Sequence, residues 1–171
     1  MATRIQVPKP GAGPESAGPD LHLESTSFGP DGRIPIQHTS DGENVSPALL
    51  WDRPPKEARA LALLCADPDA PGPEPFVHWL IADIDPAHSG TLLSQGTRWI
   101  PGAVFGRNSF GRLGYGGPKP PPGHGVHHYH FRLYALDVPL GLAEGFSKDD
   151  LVRAMSGHVL AAGELVGTYS R

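Results

Sequence analysis

Two aspartates, Asp67 and Asp69, stand one residue apart directly after an apolar run of strand length, with prolines at 68 and 71. Loops that follow strands commonly carry working groups, and the prolines fix the backbone of this one. Paired carboxylates in such a loop can hold a neighbouring imidazole in its charged form or accept a hydrogen bond from a ligand. A strand-ending turn also explains the spacing, because aspartate hydrogen-bonds its own backbone in turns.

A histidine lies inside the next apolar run of the sequence. His78 shares an alternating face with Phe76 and Leu80, a position typical of a hydrogen-bonded core histidine. The aspartate pair on the preceding element gives a second interpretation, because a nearby carboxylate raises the pKa of an imidazole and keeps both ring nitrogens as donors. Both interpretations stay open at this point.

A segment rich in glycine and proline, residues 116–126, leads into a run that alternates between apolar and polar residues. Its glycines permit a ligand to approach the backbone closely, and prolines such as Pro121 stiffen the wall. His127 and Tyr129 share the inward face at the start of the next strand, so both can line one cavity with this loop. A structural proline turn followed by surface histidines is the alternative.

The sequence offers little support for a metal site or for a catalytic nucleophile. Four histidines fall within residues 124–130, but strand alternation turns His128 and His130 away from His127 and divides the cluster. No nucleophile motif of the G-x-S-x-G type is present, and Cys65 lies in an apolar run that is typical of an inert core thiol. We therefore expect no metal and no cofactor.

The charge distribution favours a small anionic ligand. The net charge is −4, yet no carboxylate occurs between Asp85 and Asp137, a stretch that holds five lysines and arginines and five histidines. Such a segment favours anions, unless its charge is balanced in space by the rest of the chain. Nucleic acid is a poor candidate, because the basic residues are scattered and the whole chain is acidic.

Composition and patterning predict a mainly β fold. The 171 residues include 22 glycines and 20 prolines, and 39% are hydrophobic, which suits a loop-rich β protein and excludes a helical bundle. Residues 1–20 predict a flexible tail and residues 21–171 one domain. Strands are predicted over 60–65, 76–84, 127–138 and 164–170, with one late helix that is capped by Ser147 and carries Leu151, Met155, Val159 and Ala162 on its apolar face.

Cellular context follows from absences in the sequence. There is one cysteine, no apolar run long enough to span a membrane, and no hydrophobic signal core near the N-terminus. These features predict a protein of a reducing compartment, the cytoplasm.

The ordered set of motifs resembles the phosphatidylethanolamine-binding protein family, in its bacterial Raf kinase inhibitor-like branch. The resemblance spans roughly residues 24–171 and consists of DGENVSP at 41–47 with Trp51, DPDAP at 67–71, FVHW at 76–79, GRNSFG at 106–111, the loop from Tyr115 to Tyr129, LYALD at 133–137, and GTY at 167–169. Each motif alone is weak, whereas their order along one chain is specific.

The resemblance implies a β-sandwich of two antiparallel sheets with Greek-key links, and a small pocket for phosphate-type anions or phosphorylated headgroups. By motif, the implied ligand-binding residues are Asp67, Asp69, His78, Pro121, His127 and Tyr129. It further implies a non-catalytic binding protein that modulates a partner such as a kinase, and a homodimer. Lys119 and His128 stand where many relatives have Cys and Arg, so the ligand preference does not carry over.

The residues suggest a mechanism that the structure can test. If Asp67 and Asp69 hydrogen-bond His78 and His127, both imidazoles stay charged and can donate to a phosphate together with the Tyr129 hydroxyl. The same residues would also serve a phosphoester hydrolase, with His78 as general base oriented by Asp67. A protein-interaction module with a vestigial pocket is the third alternative.

Overall fold

A five-stranded antiparallel sheet forms the centre of the fold. The structure, a computed structural model, describes residues 18–87 and 92–171. In these ranges the chain forms, in order, a short 3-10 helix Ile36–His38, β1 Leu49–Leu50, β2 Ala60–Asp67, β3 Phe76–Ile84, β4 Leu92–Leu93, β5 Val104–Phe105, β6 His127–Leu136, α1 Lys148–Met155 and β7 Val159–Tyr169. The large sheet has the strand order β5-β3-β2-β6-β7, and β1 pairs with β4 in a separate two-stranded antiparallel sheet. The predicted mainly β fold with antiparallel sheets and one late helix is confirmed.

The two central strands are apolar on both faces because each face is covered. On one face, Leu61 and Leu63 of β2 join Trp79 of β3 in the larger core cluster. On the other face, Leu64 and Leu80 pack in a second cluster, which includes the two buried residues of α1, Leu151 and Met155. The predicted strand at 76–84 matches β3 at both ends, whereas β2 runs two residues further than predicted, to Asp67.

The alternation predicted for β6 is confirmed. His127, Tyr129 and Phe131 are buried, while His128 is exposed and His130 is half-buried. The inward face therefore brings an imidazole and a phenol to the end of the strand that lies next to the end of β2.

The late helix begins where predicted but ends earlier. Ser147 and Asp150 form a capping box, in which the Ser147 hydroxyl accepts from the Asp150 N–H and the Asp150 carboxylate accepts from the Ser147 N–H. The helix ends at Met155 because Gly157, at φ +82°, takes the left-handed conformation that terminates helices. Val159 and Ala162, predicted on the helix, lie instead in β7, opposite Leu136 and Tyr134 of β6.

Most of the predicted N-terminal tail, residues 1–17, lies outside the described residues. The remainder contacts the sheet, since Asp20 forms a parallel bridge with Ala162 and the Pro19 carbonyl accepts from the Ala162 N–H. In the two described ranges, no helix combines the length and the apolar character that crossing a membrane requires.

Candidate functional site

A cavity of about 410 Å³ lies at one end of the large sheet. Five of the six predicted ligand-binding residues line it: Asp67, His78, Pro121, His127 and Tyr129. The sixth, Asp69, is not among the lining residues. The cavity therefore gathers most of the predicted site, which the sequence scatters over more than fifty positions.

Sheet topology explains why these residues meet. Strand β2 lies between β3 and β6 and is antiparallel to both, so its last residue adjoins the first residues of its neighbours. Asp67 ends β2, His78 is the third residue of β3, and His127 and Tyr129 are the first and third residues of β6. The proline loop (residues 116–126) adds a wall through Lys119, Pro120 and Pro121.

A buried carboxylate–imidazole pair forms part of the cavity wall. The Nδ1 atom of His127 lies 2.6 Å from Oδ2 of Asp67, and the side chains are 1% and 4% exposed. Because the carboxylate can only accept, Nδ1 carries the hydrogen. The other oxygen of Asp67 accepts from the Asp69 N–H at 2.8 Å, which is the turn hydrogen bond expected of this motif. The predicted hydrogen bond between the aspartate pair and His127 is thus present, through Asp67.

His78 does not pair with an aspartate, contrary to the prediction. Its Nδ1 donates to the backbone carbonyl of Gly116 at 2.6 Å. Burial lowers the pKa of His78 to about 4, although the Gly116 carbonyl and the Asp67 charge oppose this shift. The free protein therefore holds His78 neutral at pH 7, and the expectation of two imidazolium rings is wrong for this residue.

Asp69 lies at the rim, outside the cavity lining. Its Oδ2 accepts from the backbone N–H of His128 at 2.8 Å and from the His128 Nδ1 at 2.7 Å, and both side chains are close to half exposed. Partial desolvation raises the pKa of Asp69, but the hydrogen bonds from His128 outweigh it and lower the pKa overall. The prediction that Asp69 holds His78 or His127 is replaced by this pairing with His128.

Tyr129 lines the cavity and has an unsatisfied buried hydroxyl. Its ring stands edge-on to the His78 ring, with centroids 5.1 Å apart, and its buried Oη makes no hydrogen bond within the described part of the chain. Burial raises the pKa of the Tyr129 phenol, so the hydroxyl is a neutral donor at physiological pH.

His124 joins the site, although no sequence pattern predicts it there. This exposed residue of the proline loop has its Nδ1 2.6 Å from Nε2 of His127. Asp67, His127 and His124 therefore form a chain of two short hydrogen bonds from the interior to the surface. The G-H-G segment around His124 has no regular periodicity, so no sequence pattern indicates where this ring lies.

Apolar side chains form much of the remaining wall. Phe76 and Phe110 meet edge to face with ring centroids 4.7 Å apart, and Ala70, Pro71 and Pro120 complete this part of the lining. Phe110 belongs to the GRNSFG motif, but no role is predicted for it from the sequence.

The basic stretch predicted to favour anions contributes one cation to the cavity. Lys119 lines it, and no carboxylate oxygen within the described ranges lies within 4 Å of its ammonium group. Arg132, in contrast, pairs with Glu164 on the other face of the sheet. His88, another member of the stretch, lies outside the described residues.

The described residues hold no group of three or more His, Cys, Asp or Glu side chains placed to bind a metal ion. Cys65 is fully buried, and burial raises the pKa of its thiol. A buried protonated thiol is a poor nucleophile.

A family model described as phosphatidylethanolamine-binding protein matches residues 24–170. The chain belongs to this family. The resemblance drawn from the ordered motifs is thereby confirmed over nearly the same residues.

Relatives of similar length support the assignment. A protein of Methanothermobacter thermautotrophicus named only as a UPF0098 protein is 48% identical over 153 residues, covering 88% of this chain and 99% of the relative. The crystal structure of a phosphatidylethanolamine-binding protein homologue from Chlamydia trachomatis has a TM-score of 0.81 at 36% identity, covering 89% of this chain and 98% of that one. YbcL of Escherichia coli, described as a member of the mammalian family, has a TM-score of 0.82 at 28% identity, covering 90% and 99%.

In this family member, the cavity combines three kinds of group. The Tyr129 hydroxyl can donate, His78 has one ring nitrogen that Gly116 does not use, and the Asp67–His127 pair supplies a buried dipole. A few convergent polar groups among apolar walls are typical of a small-molecule binding site.

Proposed function

We propose that this protein binds a phosphate-type anion or a phosphorylated headgroup in the cavity, without transforming it. The supporting observation is that Tyr129 lines the cavity and that its buried hydroxyl has no hydrogen-bond partner in the described ranges. Leaving a buried polar group unsatisfied costs about 1–3 kcal/mol, and an oxyanion in the cavity would remove that cost.

The charge and size of the cavity support an anion with an organic substituent. Lys119 offers an ammonium group that has no carboxylate partner in the described chain, and the Asp67 charge is engaged by His127. A volume of about 410 Å³ falls in the range of small-molecule pockets and exceeds what one phosphate fills. The phenylalanine and proline walls would then contact the rest of the ligand.

A phenylalanine substitution tests the proposal. Removal of the Tyr129 hydroxyl, in Tyr129→Phe, should weaken binding of O-phosphoethanolamine by about tenfold, as expected for a hydrogen bond to a charged group. Tyr134→Phe is the matched control, since Tyr134 is buried in the same strand on the opposite face. Isothermal titration calorimetry measures both. Equal affinities of Tyr129→Phe and the unaltered protein would contradict the proposed site.

The hydrolase alternative has less geometric support. It needs Asp67 to orient His78, but Asp67 bonds His127 and His78 bonds Gly116. Assays with phosphomonoesters and phosphodiesters, with and without divalent metal ions, should show no turnover. Turnover that disappears in His78→Ala would replace the binding proposal with an enzymatic one.

The remaining expectations concern partners, assembly and location. We propose that the protein acts on a partner such as a kinase, forms a homodimer and resides in the cytoplasm. Light scattering during size-exclusion chromatography measures the assembly. Partner binding that is unaffected by Tyr129→Phe would instead favour an interaction module with a vestigial pocket.

A further inference from the structure

The hydrogen bond of His78 fixes which ring nitrogen can donate. A backbone carbonyl has no proton to give, so the 2.6 Å contact with the Gly116 oxygen requires the hydrogen on Nδ1. In the neutral ring Nε2 then carries a lone pair, and the hydrogen bond that His78 makes within the described ranges uses Nδ1 and not Nε2. Toward a ligand, neutral His78 is therefore an acceptor.

The other imidazole of the cavity does not supply the missing donor. Nδ1 of His127 is bonded to Asp67, and its Nε2 is bonded to His124. Three lining side chains keep a hydrogen to donate to an anion: Tyr129, Lys119 and Ser109, whose Oγ accepts from the Val77 N–H, while His78 presents a lone pair. An anion that has only lone pairs would meet repulsion at His78.

Charging His78 to relieve that repulsion is opposed by its surroundings. The ionisable groups around it are Asp67 from β2, His127 and Tyr129 from β6, and Lys119 from the proline loop. Asp67 favours the imidazolium, whereas burial and any positive charge on His127 disfavour it. The free protein consequently carries no ready proton on Nε2.

We infer that the cavity selects phosphomonoesters over phosphodiesters, because a monoester can arrive with a P–OH that donates to Nε2 of His78. This inference rests on the proposed function. A singly protonated monoester has one hydroxyl, which donates to His78, and two oxygens that share one negative charge and accept from donors such as Tyr129 and Lys119. A diester has no hydroxyl and leaves the lone pair of His78 facing an oxygen.

Proton balance makes the inference measurable. A phosphomonoester loses its second proton with a pKa near 6, so it is mostly a dianion above neutral pH. Binding of the monoester at pH 7.5 must therefore take up close to one proton from the buffer. This proton lies in the hydrogen bond between the phosphate oxygen and Nε2 of His78. Near pH 5 the free ligand already carries that proton, and uptake should fall toward zero.

The experiment compares O-phosphoethanolamine with glycerophosphoethanolamine, a monoester and a diester of the same headgroup. Titration calorimetry at pH 7.5, in two buffers of different ionisation enthalpy, gives both the affinity and the proton count. We expect the monoester to bind at least about tenfold more tightly and to take up close to one proton. His78→Gln should reduce the preference, and His128→Gln, at an exposed histidine outside the cavity lining, should keep it.

The outcomes separate the two proposals. Equal affinities for monoester and diester, or monoester binding without proton uptake at pH 7.5, would overturn the inference and leave anion binding intact. Failure of both ligands and of inorganic phosphate to bind would overturn the proposed function and the inference with it. Nitrogen-15 spectra of the imidazoles test the inference without any substitution: the free protein should show His78 as the neutral ring protonated on Nδ1, and the other tautomer would contradict it.

Discussion

Within the cavity, His78 and His127 differ in what their Nδ1 atoms bind. His127 donates to a buried carboxylate, whereas His78 donates to a neutral carbonyl at a similarly buried position. A carboxylate partner stabilises a positive ring, and a carbonyl alone does not offset burial. Two histidines that look alike in the sequence thus differ in whether their hydrogen-bond partner stabilises the charged ring.

The low pKa of His78 predicts a pH dependence of stability. An unfolded histidine titrates near 6.5 and the folded one at about 4. Between these values the unfolded chain binds a proton that the folded protein does not, so the free energy of unfolding falls as the pH drops from 6.5 to 4, by about 3 kcal/mol for this group. Urea unfolding across that range should show a smaller decrease in His78→Gln than in His128→Gln. Identical decreases would contradict the assigned pKa.

The two aspartates of the motif should differ in their contribution to stability. Asp67→Asn breaks a buried pair and should lower the free energy of unfolding by about 3 kcal/mol. Asp69→Asn breaks a pair that is nearly half exposed and should cost less than about 1 kcal/mol. Chemical denaturation of both variants near pH 7 provides the comparison. Similar losses for both would show that burial does not separate the roles of these residues.

At the scale of elements, the helix α1 depends on its first turn. Ser147→Ala removes the hydroxyl that accepts from Asp150 and should lower the free energy of unfolding by about 1 kcal/mol. Ser156→Ala is the control, because Ser156 stands at the other end of the helix, where the cap contact is made by its backbone. Thermal unfolding followed by circular dichroism would measure both. A control that is as destabilised as Ser147→Ala would argue against the capping box as the cause.

Among the helices and strands, patterns of apolar residues predicted the buried strand β3 correctly but not the end of α1. β3 was predicted at both ends, because FVHWLIADI is apolar on both faces and lies between Pro75 and Asp85. The end of the helix was not, because Val159 and Ala162 continue a helical spacing by chance while Gly157 reverses the backbone. The spacing of apolar residues does not show where a positive φ angle, such as that of Gly157, ends a helix.

In the candidate site, too, some features were predictable from the sequence and others were not. Asp67, His78, His127 and Tyr129 were predicted together because strand alternation decides which side chains point inward. Their hydrogen-bond partners were not predicted, since the Gly116 carbonyl comes from a loop without periodicity. Sequence patterns thus indicated which residues meet, and only three-dimensional geometry shows which of their atoms pair.

At the scale of the whole molecule, one aspartate joins distant segments to the cavity wall. The carboxylate of Asp41 accepts from the Tyr169 hydroxyl at 2.7 Å and pairs with the Arg171 guanidinium at 3.1 Å. The Arg171 carbonyl in turn accepts from the Gly123 N–H of the proline loop at 3.1 Å. These contacts link Asp41 to the loop that carries Pro121, although Asp41 is not among the residues that line the cavity.

This link predicts an effect on binding from outside the cavity. Asp41→Asn removes the charge that holds Arg171, which should loosen the proline loop and weaken O-phosphoethanolamine binding by about 1 kcal/mol, roughly fivefold. Hydrogen exchange of the Gly123 amide should become faster, because its acceptor is the Arg171 carbonyl. Asp31→Asn is the matched control: Asp31 has a φ of +57°, which asparagine also tolerates, and its side chain makes no hydrogen bond within the described residues. Faster exchange at Gly123 with unchanged affinity would show that loop order does not limit binding, and unchanged exchange would show that Asp41 does not hold the loop.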